Sequence, residues 1–478
     1  MSFTLEDYQQ SSALDLSQAI RQGRVSQDQV LDYAYQVIED TASDLNNIVT
    51  LFDKVEVVAY AHALEDKGQD FFGVPLLVKG LGDEVKGGDA SLGIPFLKDQ
   101  RFKEDNDYVL ALKDMGFVII GQSTYPQFGW INATVSDWRG DTANPWNLDH
   151  NPGGSSGGAA AAVASGQVPL ATSSDAGGST RIPASWSGLI GLHPSRGLLE
   201  ASLEVDRNQT SHFALVKSMA DLQAYYKNLY RARQELKPSH LSKETRFAYT
   251  LATPAGTPLS DEAKRAVLDT VAVLEDQGYQ VSEVADYPID GKAMMMAYYV
   301  IAADNARHLE GMAQDVMGRS LKEDDVEILT WALFQTAQLI TEDDLVEAWQ
   351  TAKDMEETVA TFFQDYDVLI TPTTAYPAPE RGYRYLEDKY KEQMSDMSSL
   401  SKEERVELIY HQWLPAWVKT PYTQMGNLTG TPSLSLPLHV TQDGLPLGVL
   451  FNGPWGSDQT LIAIGELFEE GGHLHLYK

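Results

Sequence analysis

Two serines stand inside glycine clusters between Asn151 and Pro194: Gly153-Gly154-Ser155-Ser156-Gly157-Gly158 and Asp175-Ala176-Gly177-Gly178-Ser179-Thr180-Arg181. A serine hydroxyl is a weak nucleophile and needs a base. The candidate base is Lys79, which closes the apolar run Val74-Pro75-Leu76-Leu77-Val78. Free lysine is protonated at pH 7, so its pKa must fall by about 3 pH units, roughly 4 kcal/mol, before it can take a serine proton. Burial among apolar side chains produces such a fall. A surface lysine at a strand end is the commoner arrangement in general; five apolar residues before Lys79 favour the buried one.

The glycines have their own use. Acyl transfer develops negative charge on the substrate carbonyl oxygen, and backbone N–H groups of Ala176, Gly177, Gly178 and Ser179 are candidate donors to it, each typically worth about 3 kcal/mol. Asp175 and Arg181 bracket this turn with charge and read as structural. A phosphate-binding loop is the first rival, but no Lys-Ser/Thr pair follows the glycines and the dinucleotide spacing is absent. A flexible linker is the second, and it conflicts with the packed character of the Ala-rich and apolar segments between the clusters.

These residues need elements to bring them together. Residues 5–40 read as two helices, 56–66 as another, and Val74–Val78 as a strand ending at Lys79. A helix over 107–115 leads to a strand at Phe117–Ile120, and 123–152 reads as a long ordered loop. Residues 156–165 read as a tightly packed helix, followed by a strand near 168–173, a Gly-rich turn and a further helix. The helix carries the chain about 15 Å away and the strand returns it, so Ser155 and Ser179 fall at one sheet edge. Lys79 reaches that edge if its strand runs parallel, and strand C-termini are the usual ligand sites of open α/β sheets.

Further along, residues 201–260 are mixed, and Ser260 caps a helix ending at Gly278. Several acidic helices span 292–365, a strand spans 367–371, a loop 372–379, and a charged helix 386–410. Strands at 432–438 and 445–452 and a helix at 457–470 complete the chain. The alternation, without repeats or a low-complexity linker, predicts one α/β domain over 1–478: a large mixed, twisted β-sheet covered by helices.

Composition narrows the partners. The 478 residues carry 36 Lys+Arg against 68 Asp+Glu, a net charge of −32. That field repels phosphate backbones and anionic membranes, so no nucleic-acid or membrane partner is expected. There is no cysteine, which excludes disulfides, thiolate metal sites and a cysteine nucleophile. No basic-then-apolar N-terminal stretch and no long apolar window occur, and a cytoplasmic protein is expected; the sequons at Asn132, Asn208 and Asn427 are then chance matches.

The two Gly/Ser clusters, Pro183-Ala184 and the Gly188-x-x-Gly191-x-x-Pro194 tail resemble the amidase signature family. Gly73-Val74-Pro75-Leu76-Leu77-Val78-Lys79 matches the family's lysine-bearing strand motif, and Ser155 and Ser179 match its serine spacing. The similarity continues at Asn144–Asn147, Ser218–Asp221, Thr371–Thr373 and Asn427–Pro432, covering nearly the whole chain. The resemblance implies Ser179 as the acyl-forming nucleophile, Ser155 as a proton relay with a cis peptide bond, and Lys79 as the base. It implies hydrolysis of a small-molecule amide without metal or cofactor. Two positions depart from the common pattern: Gly80, where many members place Asp, and His193-Pro194-Ser195, where many carry Lys-Pro-Thr.

Three other functions compete. An A-type component of a glutamyl-tRNA amidotransferase must act beside tRNA, which the charge opposes. A metal-dependent hydrolase has only His473-Leu474-His475 as a hint, near the C-terminus and without a companion motif. A non-catalytic binding relative conflicts with retention of Lys79, Ser155 and Ser179. Loop 123–152 and the 290–420 region are expected to form the pocket, with Trp130, Trp138 and Met294–Met296 as candidate lining, although such residues are more often core. The substrate and the oligomeric state stay open.

Overall fold

The computed structural model describes residues 3–199, 207–230 and 238–477. Eleven strands are assigned among them: β1 Ile48–Leu51, β2 Pro75–Lys79, β3 Val118–Ser123, β4 Leu170–Asp175, β5 Ile190–His193, β6 Ser211–Val216, β7 Arg246–Tyr249, β8 Gln280–Glu283, β9 Val368–Pro372, β10 Ser433–Val440 and β11 Pro446–Asn452. They form one mixed sheet in the order β1-β3-β2-β4-β6-β5-β10-β11-β9-β7-β8. β2, β3, β4, β5, β9 and β11 are buried along their whole length. Helices cover both faces, so strands such as β2 and β9 read as nearly continuous apolar runs rather than alternating ones, while β4 ends in the polar Thr172–Asp175. The architecture is the single α/β domain with a large mixed sheet that the sequence predicts.

β2 lies between β3 and β4 and runs parallel to both. The C-terminal ends of β2 and β4 therefore open at the same edge. Between Ser155 and β4 runs the helix Gly157–Ala164, all eight residues of which are buried. Its Gly/Ala composition has a steric cause. A Cβ at Gly158 would stand 2.4 Å from the Thr124 backbone nitrogen, so this helix packs backbone against backbone.

A second core joins Ala248 of β7 and Leu369 of β9 to a layer of helices. The helices Gly291–Asn305, Ile328–Ala337, Glu342–Asp365 and Lys402–Trp417 pack around Met294, Tyr299, Leu333, Val359 and Ile409. Ala133 and Val135 from the 123–152 loop join this cluster, so the loop bridges the sheet edge and the helical layer.

Several boundaries differ from the sequence reading. Residues 5–40 hold three helices, Leu5–Gln10, Ala13–Arg21 and Gln27–Leu45, not two. Ser12 with Asp15 forms a capping box that restarts the chain after the first, and Ser26 caps the third. β1 has no counterpart in that reading because three of its residues are only partly buried at the sheet edge, Leu51 is exposed, and the strand shows no alternation. The charged helix of 386–410 is two helices, Asp388–Ser395 and Lys402–Trp417, with a Ser401–Glu404 capping box starting the second. The mixed region resolves into β6, the helix Met219–Leu229 and β7, while the part of it at 201–206 and 231–237 lies outside the described residues.

Candidate active site

Lys79 is the last residue of β2 and has no exposed surface. Its Nζ lies 2.7 Å from Ser155 Oγ, 2.9 Å from Ser174 Oγ and 3.3 Å from the Ser174 carbonyl oxygen. Burial pushes the Lys79 pKa down to about 7, against the opposing pull of Asp83 and Asp175. Desolvation thus outweighs two nearby carboxylates, and the side chain is poised to exchange a proton near neutrality. Asp83 and Thr172 hold the strand end from the other side by accepting the Lys79 backbone N–H at 3.2 and 2.8 Å.

Ser155 is buried, and the peptide bond joining Gly154 to it is cis. Ser179 follows β4 by four residues and is half-buried. The Ser156 N–H donates to the Ser179 carbonyl oxygen at 3.3 Å, which ties the two glycine clusters together. Lys79, Ser155 and Ser179 are thus brought to one edge of the sheet.

The turn after β4 is built around Asp175 and Arg181, both fully buried and paired at 2.9 Å. Burial alone would raise the Asp175 pKa; the Arg181 guanidinium and its hydrogen bonds hold it well below the usual carboxylate range. Arg181 also donates to the Thr423 carbonyl and to Asn427 Oδ1, at 2.7 and 2.6 Å. One candidate oxyanion donor needs correction. The Gly178 N–H donates to Asp175 Oδ1 at 2.6 Å and is already engaged within the turn. The N–H groups of Ala176, Gly177 and Ser179 have no partner among the described residues.

Ser179 opens onto a narrow cleft of about 30 Å³, walled by Gly129, Trp130, Asn132, Tyr298, Trp413 and Trp417 among others. Loop 123–152 and the 290–420 region supply these walls, as expected. Of the candidate lining residues, Trp130 and Met295 face the cleft. Met294 is core and Met296 packs at the edge of the same cluster. Trp138 turns outward, 39% exposed, with the Arg139 guanidinium 4.4 Å above its ring. Ser174, Tyr298, Trp413 and Trp417 are not singled out by the sequence; only Ser174, next to Asp175 at a strand end, carries a local signal, while Asn427 opens the Asn427–Pro432 segment.

Both departures have structural accounts. A Cβ at position 80 would stand 2.5 Å from the Tyr125 ring, so no side chain fits there. His193 ends β5 with Nδ1 2.7 Å from Ser211 Oγ, and burial, reinforced by Arg181, pushes its pKa down to about 3. The C-terminal histidines belong to no metal-binding arrangement: no group of three or more His, Asp or Glu side chains placed to hold a metal occurs among the described residues. No helix among them is long and apolar enough to cross a membrane.

Known proteins resemble this chain in sequence and in fold. A lipoamidase of Enterococcus faecalis is 44% identical over 467 residues, covering 98% of this chain and 64% of that protein. The chain therefore spans less than two thirds of that relative's length. The solved structure of 6-aminohexanoate cyclic dimer hydrolase has the same fold, with a TM-score of 0.85, 24% identity, and coverage of 99% of this chain and 98% of that one. A bacterial aryl acylamidase, solved as a member of the amidase signature enzymes, shares the fold at a TM-score of 0.81 and 24% identity, covering 96% of each chain. The amidase family model matches residues 29–462, and the chain belongs to that family.

Proposed function

We propose that the protein hydrolyses a carboxylic amide through an acyl-enzyme on Ser179. Ser155 passes the Ser179 proton to neutral Lys79, Ser179 Oγ attacks the carbonyl carbon, and the oxyanion meets the N–H groups of Ala176, Gly177 and Ser179. The proton held by Lys79 returns through Ser155 to the departing nitrogen as the C–N bond breaks. Water then attacks the ester by the reverse proton route and releases the acid. The observation that carries this reading is the fully buried Lys79 amino group 2.7 Å from Ser155 Oγ. That placement lowers the lysine pKa and aims it at a relay.

The likeness to a lipoamidase makes lipoamide the first substrate to try, beside simple aliphatic and aromatic amides. Acid released from these amides by wild type and not by Ser179→Ala tests the reading. The A-type amidotransferase alternative is opposed by the net charge of −32, which repels tRNA. A filter assay giving micromolar tRNA affinity at physiological salt would favour that alternative.

A further inference from the structure

Beside the cleft at Ser179 lies a larger chamber of about 170 Å³. The two share a wall of Trp130, Ile131 and Trp413, so the chamber begins one side chain away from the nucleophile's cleft. More of the chamber's open surface is apolar than polar, with Val135, Ile328, Leu329 and Leu386 contributing, although Asp137, Glu327, Arg384 and Lys391 also line it. Four lining side chains nevertheless keep a buried polar atom with no partner: Trp130 Nε1, Thr330 Oγ1, Tyr385 Oη and Gln412 Nε2. Thr330, Tyr385 and Gln412 are 1%, 7% and 4% exposed. All four groups can donate a hydrogen bond. Native proteins rarely leave such groups unmatched; the atoms themselves have almost no accessible surface, so a ligand in the cavity meets them only after these side chains turn toward it.

The charged residues of the chamber are already engaged. Arg384 pairs with Asp141 at 2.8 Å, Lys391 with Asp388 at 2.9 Å, and Glu327 accepts the Asp137 N–H at 3.2 Å. An anionic chain end finds no cation in this lining without a carboxylate partner. The cleft itself is too small to house more than the reacting amide.

We propose that this chamber is the subsite for an uncharged, flexible, mainly apolar chain attached to the scissile amide, with a hydrogen-bond acceptor on the chain meeting the unpaired donors. The proposal rests on the reading of Ser179 as nucleophile. It names the substrate class as medium-chain amides. The chain belongs either to the acyl part or to the amine part, and the same chemistry serves both.

Two substrate series test it: p-nitroanilides of straight-chain acids from acetyl to decanoyl, and N-alkyl acetamides from methyl to octyl. In one series kcat/KM rises about fourfold per methylene, equivalent to about 0.8 kcal/mol, until the chamber is filled. The series that responds identifies which part of the substrate enters. Leu329→Trp, which fills the chamber, lowers the long-to-short ratio of kcat/KM at least tenfold, and Leu329→Ala moves the plateau to longer chains, so the test survives if one variant misfolds. An ether oxygen within the chain raises kcat/KM, a gain removed by Thr330→Val with Gln412→Leu. Flat profiles in both series, or a wild-type slope preserved in both Leu329 variants, overturn the subsite while leaving amide hydrolysis at Ser179 intact. An ether oxygen that slows hydrolysis at every position overturns the acceptor requirement. A protein that hydrolyses no member of either series removes the Ser179 reading as well.

Discussion

The Lys79 amino group stands 2.7 Å from the Ser155 hydroxyl, although 76 residues separate them in the chain. The contact exists because β2 and β4 are parallel neighbours, and because the helix after Ser155 lies against the same sheet edge. It joins a buried amine to the proposed relay, and the expected behaviour of the enzyme follows from it.

Ser179→Ala removes the group proposed to form the acyl-enzyme. Amide hydrolysis should fall on the order of 10⁴-fold or more, with an unchanged circular dichroism spectrum. Mass spectrometry after a fluorophosphonate should locate one adduct, on Ser179. An adduct on a different serine would refute the assignment.

The base must be neutral to accept a proton, and burial pushes the Lys79 pKa down to about 7. The profile of kcat/KM against pH should therefore rise through a single limb with a midpoint near 7 and stay high above it. Lys79→Arg should lose most of the rate and the limb together, since guanidinium keeps its proton. Near-normal rates in Lys79→Arg would show that Lys79 is not the base.

The same depressed pKa has a stability consequence. Between about pH 7 and 10.5 the folded protein holds Lys79 neutral while the unfolded chain holds it protonated. The unfolded state then binds more protons, so this group's contribution to stability rises with pH, by up to about 1.4 kcal/mol per pH unit. Urea unfolding of wild type and Lys79→Met at about pH 7.5 and 9.5 isolates the effect. Wild type should gain about 2–3 kcal/mol on the variant between the two; equal pH slopes would mean that the folded protein keeps Lys79 charged.

Gly178 has φ +121°, and a Cβ there would stand 2.2 Å from Thr423 Oγ1. Gly178→Ala cannot keep both that conformation and its hydrogen bond to Asp175, so the donors on either side of it should shift. We expect kcat/KM to fall by about 10²-fold, the scale of one lost oxyanion donor. Kinetics within about threefold of wild type would show that the turn tolerates a side chain and that its backbone geometry is not what the reaction depends on.

Much of the site is legible in the sequence because its chemistry is local. The glycine clusters flag Ser155 and Ser179, and five apolar residues announce a buried strand ending in Lys79. The helix and strand between the serines have lengths that return the chain to its starting edge. The lack of cysteine removes disulfide and thiolate chemistry, and the net charge of −32 sets the expectation about partners. These features depend on composition and on periodicities of a few residues, which a sequence displays directly.

What only the tertiary structure decided are contacts between residues remote in sequence. That β2 and β4 are parallel neighbours is a property of sheet order. The use of the Gly178 N–H by Asp175 depends on the course of a turn that Arg181, Thr423 and Asn427 fix from another part of the chain. Tyr298, Trp413 and Trp417 face Ser179 because a helical layer with its own core folds over the sheet edge. An aromatic residue on an amphipathic helix has the same local pattern whether it faces a core or a cleft. Only the packing of that layer separates the two, and it is the packing that leaves donors unpaired on side chains lining the chamber beside the cleft at Ser179.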